Sequence, residues 1–172
     1  ENFESVFNGE GKNQDDYAVG AHGEAVLTVP FEGIDAYAEL LKAALAKDSA
    51  DVLEEVKAAG VRGRGGAGFP MGVKWGFARN AESVLKFIIC NADEGDPGAY
   101  TDRYLLEQRP HSVLFGMIIA GFCIKAEWGV LYIRAEYPES FPIIESAIDD
   151  FRSAGLLGKD IHGSGFNFDF KI

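Results

Sequence analysis

Two stretches of this chain hold residue types that could do chemistry. The first is Gly60-Val-Arg-Gly-Arg-Gly-Gly-Ala-Gly-Phe-Pro70. Four glycines in six residues, Gly63, Gly65, Gly66 and Gly68, let backbone N–H groups turn toward an anion with no Cβ in the way. Arg62, Arg64 and Lys74 add positive charge around them. Gly63, Gly65 and Gly68 also spell G-x-G-x-x-G, but a dinucleotide fingerprint of that kind follows a strand, and here a helical pattern precedes it. It is no P-loop either, because Val73 stands before Lys74 and Trp75 after it. The competing reading is a mobile surface loop. The flanking basic residues and the stiff Phe69-Pro70 exit favour the anion site.

The second stretch runs from Cys90 to Asp102. Asp93, Glu94 and Asp96 are three carboxylates in four residues, with Asn91 just before them. Such a cluster can ligate a metal, act as acid or base, or accept hydrogen bonds from sugar hydroxyls and ring nitrogens; a solvated acidic turn is the bland alternative. The loop contains no His, which disfavours the metal. Cys90 and Cys123 form no C-x-x-C pair, so neither supports a zinc or iron–sulfur site, and both read as structural thiols. His22, His111 and His162 are scattered. No nucleophile–base pair is legible.

The elements that must position these loops follow from periodicity. Residues 1–24 are polar and aperiodic and read as a weakly ordered N-terminal segment, leaving 25–172 as one domain. Ala25 to Phe31 reads as a short strand ended by Pro30. Ile34, Tyr37, Leu41, Ala44 and Leu45 fall at helical spacing over about 33–46. Asp48 or Ser49 caps a second helix that stops at Gly60. Lys86 to Asn91 is a continuous apolar run, as in a strand covered on both faces. A polar loop follows from Ala92 to Arg103, then a helix opened by Pro110, a strand over Gly129–Arg134, and a helix with Pro142 in its first turn ending near Gly155. Phe166, Phe168 and Phe170 alternate with polar residues in a last strand. The sum is an α/β fold: a Rossmann-like βαβαβ parallel sheet flanked by helices, with right-handed crossovers, preceded by a helical segment and the glycine loop. The carboxylate loop then leaves the C-terminal end of the first strand of that unit, the edge where open parallel sheets bind ligands.

Composition bounds the function. Of 172 residues, 47% are hydrophobic and 25% charged, as in folded globular proteins. The net charge of −11 argues against general affinity for nucleic acid and for anionic lipid headgroups. The start, Glu1-Asn2-Phe3-Glu4, lacks the basic residues and apolar run of a signal peptide. The longest apolar run, Val113 to Ile124, is 12 residues, against about 20 for a membrane span. No direct membrane insertion is expected.

The motifs in order, Gly60 to Pro70, Gly72-Val-Lys-Trp75, Cys90-Asn-Ala-Asp-Glu94, Pro97-Gly98, Asp102-Arg103, Arg134-Ala-Glu-Tyr-Pro138, Gly155-Leu-Leu-Gly-Lys-Asp160 and Gly163-Ser-Gly-Phe166, resemble the flavin-bearing NADH-oxidising subunit of respiratory complex I. They also resemble the homologous diaphorase subunit of NAD(P)-linked hydrogenases and formate dehydrogenases. The resemblance covers about 33–172. It implies FMN as cofactor and NADH as substrate, with Gly63, Arg64, Gly65, Gly66 and Lys74 against the flavin. It gives Asn91, Asp93 and Glu94 hydrogen bonds to the ribityl chain or ring. Phe69 and Phe77 would stack on the NADH adenine, and Asp96, where the family usually has Glu, would approach the ribose. The implied partners are a thioredoxin-like iron–sulfur subunit and further subunits of a parent complex, in the cytoplasm or peripheral on the inner face of the membrane. In the family a ubiquitin-like domain and a helical domain holding an iron–sulfur cluster come after the flavin domain, which itself continues with a flavin-contacting Gly-Glu-Glu segment. This chain therefore resembles the N-terminal part of that domain, ligates no cluster itself, and is expected to oxidise NADH slowly or not at all alone. A non-catalytic fragment without flavin and an ordinary dehydrogenase binding NAD directly are the competing readings.

Overall fold

The computed structural model describes residues 26–172; the segment expected to be weakly ordered, 1–24, lies outside them. The strand expected over Ala25–Phe31 is not formed among the described residues. Val26 to Thr28 is a bend and turn, and the Arg109 guanidinium donates to the Thr28 carbonyl from Nε at 3.2 Å and Nη2 at 2.9 Å. With the Thr28 carbonyl engaged by a side chain and Pro30 lacking an N–H, this stretch has fewer groups to offer a ladder. Phe31 instead lies flat on His111, ring centroids 3.9 Å apart.

Helix α1 (Ile34–Leu45) and helix α2 (Ser49–Ala58) match the periodicity. Asp48 is the cap, its side chain accepting from the Ala50 N–H at 2.7 Å. Helix α3 (Met71–Asn80) was not apparent from the sequence, because Gly72 and Gly76 weaken its pattern. The structure explains both glycines. A Cβ on Gly72 would lie 2.8 Å from the Lys57 backbone nitrogen and 2.9 Å from its Cα. The glycine is what lets α3 cross α2 this closely. Arg79 ties the other end of α3 to the start of α2, donating to Ser49 Oγ at 2.9 Å.

Strand β1 (Phe87–Ala92), helix α4 (Thr101–Gln108), helix α5 (Pro110–Ile124), strand β2 (Trp128–Ile133), helix α6 (Ser140–Ser153), a 3₁₀ turn (Ile161–Gly163) and strand β3 (Asp169–Lys171) complete the fold. The sheet order is β1-β2-β3 and all pairing is parallel, with Phe87 opposite Trp128, Ala92 opposite Ile133, and Trp128 opposite Asp169. The parallel sheet flanked by helices is therefore as expected. Three details differ. The polar loop after β1 is shorter than the sequence suggests, since residues 101–103 begin α4. The last parallel strand is only three residues long, because Phe168 pairs antiparallel with Gly158 through N–H···O bonds of 2.8 and 2.9 Å. And, among the described residues, β1 is covered on one face only: Ile88, Cys90 and Ala92 face the core, while Phe87 and Ile89 are exposed along with Tyr132 of β2.

The apolar run of α5 is buried, with Leu114, Met117, Ile118, Ala120, Cys123 and Ile124 all in the core. It packs against β1, β2 and α6. Phe168 and Phe170 fill the remaining space against Gly121 and Gly129, where a Cβ would fall 2.3 Å and 2.6 Å from their rings. His111 has a structural role, its Nε2 2.9 Å from Asp150 Oδ2.

The α2–α3 crossing gives a first expected outcome. Gly72→Ala forces the helices apart and should cost about 1–3 kcal/mol, as overpacking does, read as a lower urea midpoint; an unchanged midpoint would contradict the crossing. A second concerns Cys123, whose thiol burial pushes up to about 11 from 9.0. Its contribution to stability is complete below pH 9 and is lost as pH rises through 11, because only the unfolded thiol ionises in that window. A thiol reagent at pH 8 should leave Cys123 unlabelled until denaturant is added; rapid native labelling would refute its burial.

Candidate functional site

The glycine loop is closed at its base and open at its tip. Arg62 and Pro70 form an antiparallel bridge, the Gly63 N–H donates to the Phe69 carbonyl at 2.9 Å, and the Met71 N–H donates to the Val61 carbonyl at 2.9 Å. Arg62 Nη1 donates to the Gly68 carbonyl at 3.0 Å, so this arginine staples the loop rather than reaching outward. Gly66 and Gly68 have φ of +94° and +59°, values that side chains with a Cβ rarely adopt. The N–H groups of Gly65, Gly66, Ala67 and Gly68 donate to no other group among the described residues. A Cβ on Gly65 would meet nothing within 4 Å. These amides stand directly before the N-terminus of α3, the positive end of its dipole.

Downstream, Lys74 and Phe77 lie one turn apart on the solvent side of α3, while Trp75 and Ala78 pack inward against the cluster of Val52, Leu53, Cys123 and Ile124. Phe69 is 48% exposed and Phe77 67%. Neither ring belongs to the core, so both are available to a ligand.

The carboxylate loop leaves β1 at the C-terminal edge of the sheet. Asn91 Oδ1 accepts from the Asp93 N–H at 3.1 Å. Asp96-Pro97-Gly98-Ala99 is a tight turn closed by the Ala99 N–H on the Asp96 carbonyl at 3.1 Å, with Pro97 fixing one corner and Gly98, φ +81°, the other. Asp93 and Asp96 are exposed. Glu94 is engaged: its Oε1 accepts from the Thr101 N–H at 2.8 Å, and its Oε2 from Asp102 at 3.1 Å and Arg103 at 3.4 Å. It thereby serves the free amides at the start of α4, where Tyr100 supplies no side-chain cap. Burial pushes the Asp102 carboxyl upward, and the negative charge of Glu94 adds to that.

Arg134, one residue past β2, closes the loop from the other side. It donates to the Glu94 carbonyl and to Glu136 Oε1 at 2.8 Å, and lies 3.8 Å from Asp93 Oδ1. The structure thus gathers Asn91, Asp93 and Glu94 with Arg134 at one sheet edge. Gly63, Arg64, Gly65, Gly66 and Phe69 form a separate loop ahead of α3, which carries Lys74 and Phe77. Among the described residues no hydrogen bond or ion pair joins the two loops. Arg103 and Arg134 stood in the sequence only as members of the matching motifs, with no role at the site; for Arg134 the signal available was that the residues just past two adjacent parallel strands must meet. Among the described residues no three His, Cys, Asp or Glu side chains gather into a metal-ligating cluster, and no described helix is long and apolar enough to cross a membrane.

A parallel sheet with helical crossovers, an acidic loop at its C-terminal edge and an open glycine loop feeding a helix define an α/β domain whose candidate ligand loops stand at the sheet edge and before a helix. The family follows from comparison. Residues 56–170 match the family model described as the Nuo51 FMN-binding domain, and the chain belongs to that family. The chain is 49% identical over 146 residues to the NADP-reducing hydrogenase subunit HndC of Solidesulfovibrio fructosivorans, covering 82% of this chain and 30% of that protein. Against an NADH-quinone oxidoreductase subunit of Escherichia coli (strain K12) it is 45% identical over 123 residues, 71% of this chain and 28% of the relative. Against the HoxS subunit alpha of the NAD-reducing hydrogenase of Cupriavidus necator it is 43% identical over 143 residues, 83% and 24%. The fold is similar to a crystal structure of an NAD+-reducing [NiFe]-hydrogenase in the air-oxidized state, with a TM-score of 0.61 and 40% identity over 72% of this chain and 20% of that one. The chain thus spans under a third of the length of these relatives, all of which are named as subunits or belong to a named hydrogenase.

The helix cap on α4 is testable. Glu94→Ala strands three amides and should destabilise the chain by about 1–2 kcal/mol in urea unfolding. Glu94→Gln keeps one acceptor oxygen and should recover part of the loss. Equal stability of Glu94→Ala and the parent would show that the cap carries no weight.

Proposed function

We propose that this chain supplies the FMN- and NADH-binding part of an NADH-oxidising flavoprotein that delivers electrons to iron–sulfur centres of a larger oxidoreductase, of the NADH-quinone oxidoreductase type. One observation carries the reading: four consecutive amides without acceptors among the described residues, on backbone that no Cβ obstructs at Gly65, in a chain of an FMN-binding family. Bound there, FMN would accept a hydride from NADH and release electrons singly, so the protein needs no acid or base and contributes position and electrostatics.

The residues divide that work. Arg64, Gly65 and Gly66 would face the flavin with backbone donors and Lys74 with a point charge, while Gly63, its N–H held by the Phe69 carbonyl, would line the site as bare backbone. Asn91, Asp93 and Glu94 would accept hydrogen bonds from the ribityl chain or ring, Glu94 while holding α4. The exposed carboxylates disfavour added negative charge nearby, which lowers the potential of a flavin held there and suits onward transfer. Phe69 and Phe77 offer free ring faces for the adenine, where stacking is worth about 1–3 kcal/mol per base, and Asp96 stands for the ribose. The partners on this reading are a thioredoxin-like iron–sulfur subunit and further subunits of the parent complex, in the cytoplasm or peripheral on the inner face of the membrane. The higher identity to HndC than to the Escherichia coli relative, 49% against 45%, supports a second reading in which the parent complex is an NAD(P)-linked hydrogenase with this chain in its diaphorase subunit.

Titration of FMN into this chain, followed by quenching of flavin fluorescence, tests the proposal. Gly65→Val places a branched side chain over the open amides without clash or strain in the fold. It should weaken FMN binding about tenfold or more, about 1.4 kcal/mol, with little change in thermal unfolding. Superimposable titrations of variant and parent would overturn the assignment of the loop.

A further inference from the structure

Two arginines outside the ligand loops share one ring. Arg134 lies with its guanidinium carbon 5.8 Å from the Tyr137 ring centroid, and Arg103 of α4 lies 5.4 Å from the same centroid. A half-buried tyrosine ring is therefore in cation–π range of two guanidiniums from different parts of the chain. Each guanidinium is also aimed by carboxylates. Arg103 Nε is 2.9 Å from Glu107 Oε1 and its Nη2 is 3.5 Å from Glu139 Oε2. Glu107 in turn accepts from the fully buried Ser140 hydroxyl at 3.0 Å, which ties α4 to the start of α6. Arg134 is aimed by Glu136, through Nη2 at 2.8 Å and Nε at 3.3 Å. Its remaining donor, Nη1, goes to the Glu94 carbonyl.

The carboxylate loop is thus held twice at a single residue. The Glu94 side chain is fixed by the amides of α4, and its backbone is fixed by Arg134. Register explains why Arg134 can do this. Ala92 lies opposite Ile133, so the next residues out, Asp93 and Arg134, emerge side by side from adjacent parallel strands. A guanidinium suits the place because its planar fork serves a carbonyl and a carboxylate at once, which an ammonium cannot do in the same geometry.

We propose that Arg134, steadied against Tyr137, is a positioning residue: it sets the place of the carboxylate loop, Asn91 to Asp96, and through it the affinity of the flavin site. This rests on the flavin reading above, and the test separates the two. The first measurement uses the chain without ligand. In Arg134→Gln the amides of Thr101, Asp102 and Arg103 should exchange with deuterium at least tenfold faster, while those of α5 and β2 keep their rates. Uniform acceleration, or none, would overturn the proposal. The second is FMN affinity by fluorescence titration, expected to fall about tenfold in Arg134→Gln and by less in Arg134→Lys, which restores the charge but not the fork. Tyr137→Leu keeps the packing and removes the shared ring, and should move both readouts in the same direction, so the test survives an Arg134→Gln that folds poorly. Arg152→Gln breaks a comparable surface pair, Arg152 with Asp169 at 2.9 Å, and should alter neither. Faster exchange with unchanged FMN affinity would overturn the link to the site. Failure of the parent chain to take up FMN would overturn the flavin reading, while the exchange comparison would still decide whether Arg134 holds the loop.

Discussion

The parallel pairing of β1 with β2 is the constraint on which the site depends. Parallel strands cannot be joined by a short turn, so the chain must cross back through helices before it returns. That crossing is α4 and α5, and it delivers both strand ends to the same edge. The loop after β1 and the residues after β2 then share one small volume, one bringing carboxylates and the other a guanidinium. An antiparallel pair would have placed Asp93 and Arg134 at opposite ends of the sheet. The pairing is in turn held by α5, whose apolar length packs against both strands, and by Phe170, which fills the space over Gly129.

Glycine has two separate uses in this chain. In the loop before α3 it leaves backbone bare for a ligand, and its positive φ values at Gly66 and Gly68 shape the turn. At Gly72, Gly121 and Gly129 it leaves room for neighbouring backbone or aromatic rings. The first use concerns what can approach from outside. The second concerns how closely the fold can draw itself together. Only the first produces a local cluster that stands out in the sequence.

That difference explains what was legible. The chemistry-bearing loops were, because their glycines and carboxylates are adjacent in the chain. Helices α1, α2, α5 and α6 were, because their apolar faces repeat at helical spacing or run unbroken. Helix α4 was not, since the groups that accept from its first amides belong to Glu94, seven to nine residues upstream, and no local cap announces it. Helix α3 was hidden by the glycines its packing requires. The strand expected over Ala25 to Phe31 had the right residue types, but the Thr28 carbonyl is taken by Arg109, a partner 81 residues away. The unbroken apolar run of β1 suggested cover on both faces, yet among the described residues only one face meets helices. Arg134 had no visible role until the register set it beside Asp93.

The one-sided cover of the sheet has a colloidal consequence. Phe87, Ile89 and Tyr132 present an apolar surface to water on a chain whose net charge is −11. Two such molecules attract through that surface at contact and repel through their charge at longer range. The repulsion reaches about 10 Å at 0.1 M salt and about 3 Å at 1 M, while the attraction between apolar surfaces does not fade with salt in the same way. The solubility of this chain is therefore coupled to ionic strength: dilute buffer keeps the molecules apart, and concentrated salt removes the barrier that separates them.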